Sequence, residues 1–122
     1  MNTNHARDLR KVLEENNFRT LPGVYDCLSA RIAEEAGFPA LFLSGGALAY
    51  SALGRPDLGF LGLAEFGNAI QHIVSSCRVP LLADADNGFG NAIQAAHTGA
   101  MYEQLGAAGL QVADKVPPST HP

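Results

Sequence analysis

The chain contains no tryptophan, only 7% aromatic residues and only 16% charged residues across 122 positions. No run of lysine and arginine occurs, and no basic stretch is interleaved with aromatics, so the usual footprint of a nucleic-acid-binding surface is missing. What charge there is leans acidic, with 8 basic against 12 acidic residues and a net −4. Cysteine is scarce as well: Cys27 and Cys77 share no metal-ligand spacing and read as reduced core thiols of a cytoplasmic protein. No apolar run approaches the ~18 residues that a membrane span requires. Near the start, Arg7, Arg10 and Lys11 mix with Asp8, Glu14 and Glu15. That stretch lacks the apolar segment of a secretion signal, and its acids argue against organellar import.

What is present is a chain with 47% hydrophobic residues, long enough for one domain at most. Its apolar residues fall in a regular order. Leu9, Val12 and Leu13 mark one face of a short helix over residues 6–15. Residues 20–25, broken by Pro22 and Gly23, form a first strand. Asp26 then caps a helix over 27–36, closed by Gly37 at C′ with Phe38 following. Residues 40–43 are a second strand that ends in Ser44-Gly45-Gly46. The segment 47–62, rich in Gly, Ala and Leu and carrying Arg55-Pro56-Asp57, reads as a loop with one helical turn. Leu63, Phe66, Ile70, Ile73, Val74 and Cys77 recur at helical spacing. A third strand over 79–83 follows, then a helix capped by Asn91 that runs to residue 105, then a fourth strand over 110–112. Three prolines make the tail over 115–122 irregular.

Strands alternating with helices, and strands that are apolar throughout, define an α/β protein whose parallel sheet is covered by helices. The spacing fits an open doubly wound sheet or a (β/α)₈ barrel. The barrel is favoured because no G-x-G-x-x-G follows the first strand. In addition, each polar cluster falls at or after the carboxyl end of a strand, where barrel enzymes keep their chemistry.

The most informative cluster is Ala83-Asp84-Ala85-Asp86-Asn87-Gly88-Phe89-Gly90-Asn91. Two carboxylates two residues apart, where a buried strand opens into a glycine-rich loop, suit a hard divalent cation, since side chains repeat every two residues along a strand. Gly88 and Gly90 would let the loop approach a ligand. A strand-to-helix turn with aspartate caps is the alternative reading of the same residues. His72 and His97 fall on helices and read as solvated or packed helix residues, not ligands.

Several motifs occur in order: Pro22-Gly-Val-Tyr-Asp through Gly37-Phe38, Leu43-Ser-Gly-Gly46, Arg55-Pro-Asp-Leu-Gly59 and the Asp84–Asn91 run. Together they resemble the isocitrate lyase/phosphoenolpyruvate mutase superfamily, most closely its 2-methylisocitrate lyase and carboxyphosphonoenolpyruvate mutase branch. The likeness covers residues 9–114. It implies the N-terminal half of a (β/α)₈ barrel, about four parallel strands with covering helices, since a whole barrel needs about 250 residues. Residues 1–114 would form this partial domain and 115–122 a divergent tail. The resemblance further implies Mg²⁺, with Mn²⁺ as a substitute, ligated directly by Asp84 and through water by Asp57 and Asp86. Ser44, Gly45 and Gly46 would hold the carboxylate of a small 2-hydroxy or 2-oxo acid. C–C bond cleavage through an enolpyruvate-like intermediate is the implied reaction.

The chain departs from the family at its end. The fourth strand of the family closes in Glu-Asp-Gln, whereas this chain reads Ala113-Asp114-Lys115. Lyase members then carry a catalytic cysteine motif, absent here; His121 is the candidate nearest that position, and no catalytic residue is assigned. Phe42 replaces a tyrosine. Two functions follow: a Mg²⁺-dependent lyase or mutase, or an inactive half-barrel remnant or partner subunit from a truncated or frame-shifted gene. A half barrel has unpaired strand edges, so a homo-oligomer or an aggregation-prone chain is expected.

Overall fold

Asp26 separates the first strand from the first sheet-covering helix, and its side chain explains why. In a computed structural model that describes residues 3–15 and 17–116, strand β1 (Gly23–Val24) leads into helix α2 (Cys27–Glu35). The Asp26 carboxylate accepts from the Ser29 N–H at 2.7 Å while Ser29 Oγ accepts from the Asp26 N–H at 3.2 Å, a reciprocal capping box. The other end closes as a Schellman motif. Gly37, at φ 94°, donates to the Glu34 carbonyl at 3.0 Å and Phe38 donates to the Ala33 carbonyl at 3.4 Å. Both ends of this helix are as the residues predict.

Preceding β1 is helix α1 (Thr3–Glu14), which starts three residues earlier than its apolar pattern suggests. Following α2 come strand β2 (Leu41–Leu43), helix α3 (Gly45–Leu53), helix α4 (Leu63–Ser76), strand β3 (Leu81–Asp84), helix α5 (Ala92–Gln104) and strand β4 (Gly109–Gln111). Several expectations change. The segment after β2 is a nine-residue helix, not a loop with one turn. Ser44 Oγ accepts from the Ala47 N–H at 3.2 Å and starts the helix, and Leu48 and Ala49 bury one side of it. The two glycines sit in the first turn, where their cost is smaller than in a helix interior. The first strand is also shorter than residues 20–25, because Pro22 has no N–H to add to a ladder.

Strand β3 begins at Leu81 and not at residue 79 for a separate reason. The N–H groups of Arg78 and Val79 are taken by the Glu34 carboxylate, at 2.6 and 3.2 Å, which ties the end of α2 to the approach of β3.

The strands form one sheet in the order β1-β2-β3-β4, parallel throughout, with Phe42 opposite Leu82 and Asp84 opposite Gln111. A doubly wound sheet reverses its strand order at a switch point; this one does not. Four consecutive parallel strands with their connecting helices make up about half of a (β/α)₈ barrel. Leu41, Leu43, Leu81, Ala83 and Ala85 are buried with Phe66, Ile70 and Ile73 of α4 in the core between sheet and helices. Phe42, Leu82 and Asp84 alternate with them and are half-buried. Leu9 of α1 is buried beside Leu82, in space left by the absent side chain of Gly109. Ile70 is fully buried, so Ile70→Ala is expected to cost about 2–5 kcal/mol. The urea midpoint should fall with an unchanged slope; a shift below about 0.5 kcal/mol would show that the α4 face is not part of the core.

Candidate functional site

The carboxyl ends of β2 and β3 meet at one backbone atom. The Gly45 N–H, first in α3, donates to Asp84 Oδ2 at 3.2 Å, and the Asp86 N–H donates to Asp84 Oδ1 at 2.8 Å. A Cβ on Gly45 would lie 2.5 Å from Asp84 Oδ2, 2.9 Å from Asp57 Oδ2 and 3.2 Å from Phe66 Cζ. Asp57 and Asp84 therefore converge on a spot that only glycine leaves open. Arg55-Pro56-Asp57 belongs to the loop between α3 and α4, so the β2–α3, α3–α4 and β3–α5 connections contribute to one cluster. Among the described residues, neither Asp57 nor Asp84 forms a salt bridge. Burial pushes the Asp84 carboxyl above its ordinary range, the two backbone bonds pull it back, and the charges of Asp57 and Asp86 raise it further.

The loop after β3 carries the two non-glycine residues with positive φ among the described residues, Asp86 at 48° and Phe89 at 62°. Such conformations cost energy and persist only where neighbours hold them. The Asp86 carbonyl accepts from the Ala113 N–H at 2.6 Å, and Asn87 Oδ1 accepts from the Phe89 N–H at 3.1 Å. The Phe89 ring packs on Phe66 with centroids 5.2 Å apart. Gly88, at φ 89°, presses so closely on α5 that an added Cβ would come within 2.7 Å of Ala95 Cβ. From α5, Thr98 Oγ1 donates to the Gly88 carbonyl at 2.9 Å and the Tyr102 hydroxyl donates to the Asp84 carbonyl at 2.8 Å. Sequence reasoning missed both hydroxyls; their four-residue spacing in an alanine-rich helix was the available signal.

Of the expected carboxylate cradle, the Gly45 N–H is committed to Asp84 and the Ala47 N–H to Ser44. The Gly46 N–H has no acceptor among the described residues, and the Ser44 hydroxyl keeps its own proton to donate. Ala113 offers the cluster only backbone. His121 lies outside the described residues. His72 and His97 are exposed on α4 and α5, away from the carboxylates. Cys77 is a buried thiol, pushed up by burial, whereas Cys27 is only half-buried, its Sγ donating to the His72 carbonyl at 3.3 Å.

The carboxylates of Asp57 and Asp84 meet no cationic side chain among the described residues, and at the carboxyl end of a parallel sheet they would suit a hard divalent cation. Among the described residues, no three His, Cys, Asp or Glu side chains converge tightly enough to ligate an ion directly. A fit therefore requires one direct carboxylate with the others acting through water, the mode Mg²⁺ favours.

Fold and cluster together define a half-barrel α/β protein with a carboxylate site at its strand ends. The model of the phosphoenolpyruvate phosphomutase family matches residues 9–121, and the chain belongs to that family. It is 43% identical over 110 residues to 2-methylisocitrate lyase of Aeropyrum pernix, covering 90% of this chain and 35% of the relative. Phosphoenolpyruvate phosphomutase from Streptomyces platensis superimposes with a TM-score of 0.88 at 33% identity, over 95% of this chain and 40% of that one. A phosphonopyruvate hydrolase solved with oxalate and Mg²⁺ gives 0.86 at 33% identity, over 98% of this chain and 41% of that one. The chain thus spans well under half the length of these relatives.

Asp84 has a consequence for pH. Its folded carboxyl keeps its proton to higher pH than the ordinary 3.8, so its contribution to stability is present below that value and lost as pH rises through the raised one. Asp84→Asn removes the titrating group, so its thermal midpoint should depend less on pH, at the cost of one of the two backbone bonds, because its amide presents a single acceptor oxygen. Thermal midpoints across pH 3 to 8 check it; parallel curves for the two proteins would show that the carboxyl is not penalised by burial.

Proposed function

We propose that this chain carries the cation- and carboxylate-binding half of a lyase or mutase site for small 2-oxo or 2-hydroxy acids. The convergence of Asp57 and Asp84 on Gly45 is the observation that carries this reading. Asp84 would hold Mg²⁺ or Mn²⁺ directly, with Asp57 and Asp86 acting through its waters. The Gly46 N–H and the Ser44 hydroxyl, at the positive end of α3, would receive the carboxylate of the acid. A bound cation supplies positive charge against the oxygen on which negative charge develops when the C–C bond of such an acid breaks. The solved relative with oxalate and Mg²⁺ supports this pairing of ligands. We place the protein in the cytoplasm, in keeping with its free cysteines; among the described residues no helix is long and apolar enough to cross a membrane.

For the 122 residues alone, a non-catalytic role as a partner subunit is the second reading, and Ala113 favours it. An acid and a base must both be held near the broken bond, and the described residues around Asp84 supply neither in evident form. Mg²⁺ or Mn²⁺ should raise the thermal midpoint by mass action, and Asp84→Ala should abolish the increment. No pyruvate or glyoxylate should be released from 2-methylisocitrate, isocitrate, oxaloacetate or phosphonopyruvate. Equal midpoints with and without metal would end the cation reading, and clear turnover lost in Asp84→Ala would end the non-catalytic one.

The sheet edges support self-association. Beside β1, α2 exposes Leu28 and Ile32, and at the other edge Leu110 and Val112 are open to solvent. Light scattering should find dimers or larger species; a monodisperse monomer with a cooperative melt would count against open edges.

A further inference from the structure

We propose that the buried hydroxyl of Tyr102, assisted by Thr98 one turn earlier, is a positioning device that holds Asp84 and its loop in the cation-binding conformation. The inference rests on the cation reading above, but its geometry stands apart from it. Tyr102 and Thr98 are each 1% exposed on a helix whose other polar side chains face solvent. A buried hydroxyl is costly unless it is bonded. Both are bonded, and both to main-chain carbonyls of a single short segment: Tyr102 to Asp84 and Thr98 to Gly88. Ala95 meets the same segment at Gly88. Residues 95, 98 and 102 form one stripe along α5, so the helix seats on the loop as a unit.

Between the two latched carbonyls lies Asp86, at φ 48°, whose N–H donates to Asp84 Oδ1. The left-handed turn at Asp86 directs the chain on toward Gly88. A free loop would relax it, since the conformation is unfavourable for a residue with a side chain. Anchoring Asp84 and Gly88 from behind therefore fixes the orientation of the carboxylate without any contact between α5 and a bound ion. The Tyr102 hydroxyl is well suited to the task. A phenol is un-ionised at neutral pH, so it remains a proton donor.

Tyr102→Phe keeps the ring and deletes one bond, and Thr98→Val deletes the other. Two measurements on the full chain test the role: amide exchange at Asp86 and Gly88 without metal, and Mn²⁺ affinity from the paramagnetic signal of free Mn²⁺. Either variant should speed exchange at Asp86 and Gly88 several-fold, leave the Ile70 and Ile73 amides of α4 unchanged, and weaken Mn²⁺ binding by about tenfold, as loss of an outer-sphere partner does. Thr98→Ser, which keeps a hydroxyl, should behave as wild type. Unchanged loop exchange, or acceleration spread equally into α4, would overturn the proposal. Wild-type protein that binds no Mn²⁺ would sink the cation reading alone, with loop exchange still deciding the role of Tyr102. Should Tyr102→Phe fail to fold, Thr98→Val read against Thr98→Ser gives the same decision.

Discussion

The hydrogen bond from the Gly45 N–H to Asp84 is the contact on which the rest of the site depends. It joins the first residue of α3 to the last residue of β3, and so couples the ends of two neighbouring strands. Two opposing effects act on the carboxylate there. The helix terminus and two N–H donors favour the anion, while burial and two like charges disfavour it, and the second group prevails. On the reading proposed above, an anion held in an environment that does not fully stabilise it would have affinity to spare for a cation.

The sheet supplies the platform. In a parallel βα arrangement all strand ends of one polarity lie on one face, so residues distant in sequence gather without long connections. Asp57, Asp84 and the Ser44–Gly46 turn are brought together in this way, and the core beneath them is built from Leu41, Leu43, Leu81 and Ala83 against α4. The chain's membership of the phosphoenolpyruvate phosphomutase family agrees with that platform, and its partial coverage of the relatives agrees with a sheet that stops at four strands.

Most of the element order was legible because local signals were strong: the Asp26 and Asn91 caps, Gly37 at a helix end, and the apolar stripe of α4. Helix α3 was not, since Ser44-Gly45-Gly46 read as a strand end and the helix-forming residues behind it were masked by glycine. The late start of β3 could not be read either, because it depends on a carboxylate 44 residues away in sequence. The resemblance grouped Asp57, Asp84 and Asp86, and the structure brings the carboxylates of Asp57 and Asp84 together at Gly45. What escaped was the backbone between them: the Gly45 approach and the left-handed Asp86 turn are properties of how two strand ends meet, which no single segment encodes.

The Glu34 bridge to Arg78 and Val79 sits at the opposite pole of the sheet from Asp84. A single side-chain oxygen there satisfies two main-chain donors where a strand enters. The molecule is therefore divided along the strand axis into an anchored entry and a chemically exposed exit. Change at the entry acts on the fold alone, and change at the exit, on the reading proposed above, acts on recognition as well. On that reading, a residue at the exit such as Ala113 can alter what the protein binds while the scaffold below remains intact.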